Sequence, residues 1–387
     1  MTRFRNVALA IVGLAMLVGA KDTPDYRSAA QSLETMIRDH YAYPEKLPEG
    51  RLPQSAELDR ERDEVKDSKT LLRYAEDRIT TLADHHAITG RSFSDSWAVI
   101  PTYADLWIVR QGNSFIVDAV RDDSPAAAAG IRAGDSLVSI DGAAVTQAIE
   151  IFWSRLGLSV TSRRADYAAR VLAAGRRDRS RKLSFKKPDG TVRDVTLPSL
   201  YRDASDRPVV SVAAASGKTT IRFNNSLGDS TTIAAFDQAI AGVPLTGALV
   251  LDLRDTPSGG NTTVARAIMG WFVDRARSYQ IHNRPDEERE TGIARQWVEQ
   301  VMPRRGKYRS RLPTILVGRW TGSMGEGLAI GFAAIGADIV GGPMAELNGS
   351  VEDFTLGKTD LIVKIPTERL MTVTGAPREN FRPEPPR

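Results

Sequence analysis

The sequence predicts an α/β protein that carries a helical segment at its N-terminal end and a small β-rich unit ahead of its core. Three observations support this. From about residue 205 onward, short apolar runs alternate with helix-length segments, the pattern of a sheet built from strand–helix units. Within it, Ala248-Leu249-Val250-Leu251-Asp252-Leu253 is almost unbroken in apolar character, as strands buried on both faces tend to be. Residues 21–98, by contrast, carry apolar positions at three- and four-residue spacing, as in 32–37 and 71–79, which predicts helices.

Taken in order, the chain begins with Arg3 and Arg5, then an apolar run over 7–19, then the small residues Val18-Gly19-Ala20. That is the layout of a secretory signal peptide over 1–20, with an apolar stretch of about 13 residues and cleavage after Ala20. The run is short for a bilayer span, which needs roughly 20 residues. The expectation is therefore export to a periplasmic or extracellular space, with membrane association only if the segment is retained. Residues 47–66 are rich in charge and proline and read as a loop or mobile connector.

The next unit covers 100–198. A strand over 115–120 is followed by Ser124-Pro125, which can cap and start a short helix that Gly130 ends. Gly134-Asp135 turns into a strand that closes on Asp141-Gly142. Residues 146–177 allow an enlarged helical insertion, and 182–197 supply closing strands around Pro188-Asp189-Gly190. The core then reads as strand 219–223, helix 231–241, strand 248–253, helix 264–274, and a polar connection over 280–307 that is either a lid or a plain surface loop. Strand 314–317, a small-residue helix over 327–334, and strands near 337–341, 351–356 and 361–365 complete it.

At 387 residues the chain can hold two or three domains, and 42% apolar with 26% charged residues is ordinary for a globular protein. The net charge of +4 is mild, and neither basic cluster, 176–182 or 304–307, is interleaved with aromatics, which argues against nucleic-acid binding. There is no cysteine, which excludes disulfides, thiol nucleophiles and thiolate-held metals. No cofactor is expected. His85-His86 lacks companions at ligand spacing beyond Asp84, so no metal site is expected either.

Two motifs carry chemistry. Thr321-Gly322-Ser323-Met324-Gly325-Glu326 sits between a strand and a helix, where a serine is exposed and helix N-terminal amides stabilise an anion. This is the setting of a nucleophilic serine, with the Met324 amide as an oxyanion donor. Gly259-Gly260, at the end of the 248–253 strand, lets further backbone amides face a cleft. Glu326 reads as structural, bracing the turn or capping the helix.

The series from Asp123 to Gly142 resembles a PDZ domain, which implies binding of extended peptides or free C-termini, with Asp105, Leu106 and Trp107 at the carboxylate-binding loop. Together with the Asp252-Leu253-Arg254, Gly259-Gly260 and Thr321–Glu326 motifs, the chain resembles the S41 family of C-terminal processing peptidases. The resemblance implies a ClpP/crotonase-like α/β core over 205–387 with the PDZ domain inserted, and a region over 21–99 that contributes a catalytic histidine. One variant of the family pairs the serine with a lysine, but Asn348 stands at the matching position, leaving only Lys358 or Lys364 to fold back. The other variant, similar to the tricorn core protease, uses histidine and glutamate. It implies His86, within Asp84-His85-His86-Ala87, as the base, with His85 as the fallback. It implies Glu379, within Arg378-Glu379-Asn380, as the orienting carboxylate, with Glu352 and Glu368 as alternatives. The implied activity is exported serine endopeptidase chemistry on unfolded or C-terminally exposed polypeptides, with the PDZ domain recruiting or gating. A non-catalytic PDZ scaffold is the alternative, and oligomerisation stays open.

Overall fold

The computed structural model describes residues 25–200 and 207–383. The segment over 1–20, expected to be a signal peptide, lies outside the described residues. The chain opens with three helices, α1 (Tyr26–His40), α2 (Ala56–Asp63) and α3 (Ser68–Thr80). Asp25, Ser55 and Asp67 cap them by accepting backbone N–H groups of the first turn. Ala29, Leu33 and Ile37 of α1 and Leu71, Ala75 and Ile79 of α3 recur on one face and share a core. The 47–66 stretch is thus not simply a connector. Its charge hides a helix whose single fully buried apolar residue is Leu58.

After α3 the chain passes through Asp84–His86 into β1 (Ile88–Thr89), then enters the second unit. That unit consists of β2 (Leu106–Gln111), β3 (Ser114–Val120), α4 (Pro125–Ala128), β4 (Ser136–Ile140), β5 (Ala143–Ala144), α5 (Val145–Ser154), α6 (Ser162–Ala174), β6 (Arg181–Lys186) and β7 (Val192–Leu197). Its sheet runs β2-β3-β4-β6-β7, with β5 on β4.

The third unit contains β8 (Val210–Ala215), β9 (Lys218–Phe223), α7 (Thr231–Ala241), β10 (Ala248–Asp252), α8 (Thr262–Met269), β11 (Arg277–Asn283), α9 (Pro285–Thr291), β12 (Gln296–Val301), β13 (Thr314–Val317), α10 (Met324–Ala334), β14 (Ile339–Gly341), β15 (Ser350–Thr355) and β16 (Ile362–Met371). One sheet has the order β14-β13-β10-β9-β8, parallel except for the β8 edge. A second has the order β1-β16-β11-β12, with β15 also on β16. The 280–307 segment is therefore mostly two paired strands and a helix, with Gln296–Val301 alternating between exposed and covered positions along β12.

This topology positions the site in two ways. Parallel β10 and β13 are neighbours, so the loops leaving their carboxyl ends meet, the usual place for a site in such sheets. The first β1 residue lies only two positions after His86, and β1 pairs with β16, so the histidine segment is stitched to the C-terminal sheet. α10 is buried over nearly its whole length; Leu328 and Phe332 each contribute about 1.5–3 kcal/mol by that burial.

Candidate active site

The turn after β13 brings Ser323 to φ 50° and ψ −113°, a positive φ that costs a non-glycine residue on the order of 1–3 kcal/mol. The surrounding contacts hold it there. Thr256, beyond β10, pairs with Thr321 as an isolated parallel bridge, and its carbonyl accepts from Gly322 N–H at 3.2 Å. The Ser323 N–H donates to Glu326 Oε2 at 2.9 Å. Glu326 is fully buried and also accepts from the N–H groups of Glu346 (2.9 Å) and Leu347 (3.3 Å). Burial pushes its carboxyl up to about 7, with Arg378 and these amides opposing. Glu326 thus ties the serine turn to the 346–349 loop.

Ser323 Oγ lies 3.1 Å from His86 Nε2. On the far side of the ring, His86 Nδ1 is 2.7 Å from the Asn348 carbonyl. A carbonyl can only accept, so Nδ1 carries the proton and the Nε2 lone pair faces the Ser323 hydroxyl. Burial, with Arg378 adding to it, holds the imidazole below its ordinary range, so it is neutral at neutral pH. The His86 backbone N–H donates to Asp84 Oδ1 at 2.9 Å. Asp84 is buried, yet Arg163 and its hydrogen bonds from Asn348, His86 and Tyr41 outweigh burial and keep it ionised.

The other candidates lie elsewhere. His85 turns away, its Nδ1 on the Val99 carbonyl at 2.6 Å and its ring stacked on Tyr167 at 4.4 Å. Burial lowers its pKa to about 3. Glu379 does not reach the His86 ring; its Oε1 accepts from Lys46 Nζ at 3.3 Å. Glu352 pairs with Arg284 at 2.6 Å, and Glu368 with His282 at 2.8 Å. The acceptor on His86 Nδ1 is thus a main-chain carbonyl, which no side-chain motif encodes. Lys364 pairs with Asp353 at 2.6 Å, and Lys358 is exposed beyond β15.

Gly259 and Gly260 differ in what they offer. Gly259 has φ +65°, and a Cβ there would sit 2.4 Å from Ser323 Cβ and 2.7 Å from the Met324 nitrogen. Its own N–H is already given to the Thr256 carbonyl at 3.1 Å, so it is not a free oxyanion donor. The N–H groups of Gly260 and Met324 have no acceptor among the described residues. A cleft of about 760 Å³ is lined by Ile88, Thr89, Trp97, Tyr103, Tyr167 and Arg176, among others, but neither Ser323 nor His86 lines it, so it is separate from their contact.

The expected peptide-binding positions in the second unit need correction. Asp105, Leu106 and Trp107 are all buried. Asp105 holds Arg181 through two bonds of 2.7 and 3.0 Å and accepts from Ala126 N–H at 3.1 Å. Leu106 and Trp107 begin strand β2 rather than a loop; the apolar run Leu106-Trp107-Ile108-Val109 was the available signal. Trp107 packs on Ala345 and Leu347, between Arg170 (5.3 Å) and Arg319 (5.0 Å). Arg170 of α6 also donates to the Ile108 carbonyl at 3.0 Å, so α6 covers β2.

Comparisons with known proteins agree with this architecture. A family model described as Peptidase family S41 matches residues 219–383, and one described as PDZ domain matches 116–152. No curated protein matches the chain. Among solved structures, the photosystem II D1 C-terminal processing protease is 17% identical, with TM-score 0.56 over 94% of this chain and 93% of that one. Mature CPAF complexed with lactacystin is 15% identical, with TM-score 0.56 over 93% of each chain. A peptidase from Parabacteroides merdae is 10% identical, with TM-score 0.50 over 94% of this chain and 90% of that one. The motifs and both matches agree: residues 219–383 match peptidase family S41, and a PDZ-like region over 116–152 lies ahead of them.

Proposed function

We propose that the chain is an exported serine endopeptidase in which Ser323 is the nucleophile and His86 the general base. The observation that carries this is the 3.1 Å contact between Ser323 Oγ and a neutral His86 whose Nδ1 proton is committed to the Asn348 carbonyl. Ser323 attacks the scissile carbonyl as His86 takes its proton. The oxyanion is met by the Met324 and Gly260 N–H groups, each such donor lowering the barrier by about 2.7–4 kcal/mol. His86 then gives its proton to the leaving amine, and a water activated by the same imidazole releases the acyl group. Asp84 fixes the His86 main chain and stabilises the imidazolium electrostatically.

Glu379 acts on this centre indirectly. The substrates are unfolded or C-terminally exposed polypeptides, a reading supported by the PDZ and peptidase matches. With Arg170 already on the Ile108 carbonyl, strand addition at β2 requires α6 to yield, which favours gating over simple recruitment by the PDZ domain. Export rests on the segment over 1–20. A fluorophosphonate probe tests the nucleophile: the protein is expected to be labelled at Ser323, and Ser323→Ala to take no label. Equal labelling of both would overturn the assignment.

A further inference from the structure

We infer that Lys46 is a positioning residue for the reaction: its ammonium, shared between the Asn348 side chain and Glu379, holds the Asn348 carbonyl on His86 Nδ1. This rests on the proposed Ser323–His86 chemistry.

Lys46 ends a short 3₁₀ turn, Pro44–Lys46, just after α1, and its Nζ lies over the Tyr43 ring at 4.3 Å. From there Nζ donates to Asn348 Oδ1 and, at 3.3 Å, to Glu379 Oε1. The other half of the Asn348 amide, Nδ2, donates to Asp84 Oδ2 at 2.8 Å, and Tyr41 OH donates to the same oxygen at 2.7 Å. Donor and acceptor chemistry leaves one orientation for this amide. An ammonium only donates, so it must face Oδ1; a carboxylate only accepts, so it must face Nδ2. The six-residue stretch from Tyr41 to Lys46 therefore reaches both ends of one side chain, directly at Oδ1 and through Asp84 at Nδ2.

What is pinned in this way is the peptide that orients the base. Arg378 grips the carbonyls on either side, Leu347 at 3.0 Å and Gly349 at 2.8 Å, but not that of Asn348. The Asn348 carbonyl is left to His86 Nδ1, and its direction is set by its own side chain. Gly349, at φ +51° with no room for a Cβ beside the Glu368 carbonyl, makes the next link a turn that must be held from outside. Glu379, whose Oε2 is buried and has no hydrogen-bond partner, is fixed on its other oxygen by Lys46. It thus connects to His86 through Lys46 and Asn348 rather than by contact.

The test uses the full chain from Lys21 and a quenched-fluorescent peptide, with Lys46→Met, Lys46→Arg, Glu379→Gln and the Lys46→Met/Glu379→Gln double variant. Methionine keeps the stem on Tyr43 and removes the donor. Lys46→Met is expected to lower kcat about 10- to 100-fold with KM within about twofold, as for a small misplacement of a catalytic group. Lys46→Arg is expected to recover most of the loss, and the double variant to be no worse than the worse single one. Activity is read per folded protein by circular dichroism, so a variant that folds poorly still reports. Unchanged kcat in Lys46→Met, a loss confined to KM, or a double variant whose losses multiply would each overturn the proposal. If Ser323→Ala retains full activity in the same assay, the underlying chemistry fails instead. An inactive Ser323→Ala beside a fully active Lys46→Met sinks the Lys46 role alone.

Discussion

Gly259→Ala places a methyl group against Ser323, the proposed nucleophile. The new carbon would lie 2.4 Å from Ser323 Cβ, where ordinary contact begins near 3.4 Å, so the serine turn or the Gly259 loop must retreat by about 1 Å. Gly259 cannot easily yield, because its φ of +65° is already one that costs an alanine about 1–2 kcal/mol. The turn is equally confined, since Thr256 holds Gly322 and Glu326 holds Ser323. A displacement of that size at a reacting atom costs roughly 100-fold in rate, or about 2.7 kcal/mol in the barrier. Overpacking adds about 1–3 kcal/mol of lost stability, visible as a lower urea midpoint. Turnover of a fluorogenic peptide by the folded variant is the assay. If Gly259→Ala keeps the parent kcat, the close approach of this loop to Ser323 is not part of the working enzyme, and the reasoning fails.

Other consequences follow from burial and charge. Because burial lowers the His86 pKa, activity should persist below pH 6.5 and fall only as the imidazole gains its proton; a pH profile of kcat/KM whose acid limb lies at or above 7 would contradict this. His282, held between Glu299 and Glu368, has its pKa raised from 6.5 to about 9. Its contribution to stability is complete below 6.5 and is lost as pH rises toward 9, so His282→Gln should flatten the alkaline fall in melting temperature. An unchanged alkaline slope counts against it. Asp105→Ala leaves Arg181 buried without its carboxylate and should cost about 3–5 kcal/mol in urea unfolding; a cost under about 1 kcal/mol would show that the pair is not what fixes this corner.

The serine turn was legible because its signals are local: an apolar strand, a glycine on either side of a small-residue helix start, and a carboxylate three positions on. His86 and Ser323 are brought within hydrogen-bond reach by the β1–β16 pairing, which joins distant segments that only the family motif linked in advance. The orienting group escaped for a physical reason. The Asn348 carbonyl is main chain, and its direction depends on Asp84, Arg378, Glu326 and Lys46 from four separate parts of the sequence. Glu379 was visible as a residue, but its direction toward Lys46 was not. The burial of Leu106 and Trp107 is signalled by the unbroken apolar run Leu106-Trp107-Ile108-Val109, which reads as a covered strand, whereas the resemblance to a PDZ domain points to a binding loop there. In α2, high charge masked a short helix whose cap, Ser55, and single buried residue, Leu58, were the only cues.

The most direct measurement is digestion of casein by the chain from Lys21, run beside Ser323→Ala and His86→Ala at the same concentration. The account predicts cleavage by the parent protein, none by Ser323→Ala, and a loss of at least about 100-fold in His86→Ala. Cleavage by Ser323→Ala at the parent rate, or by His86→Ala undiminished, would contradict it.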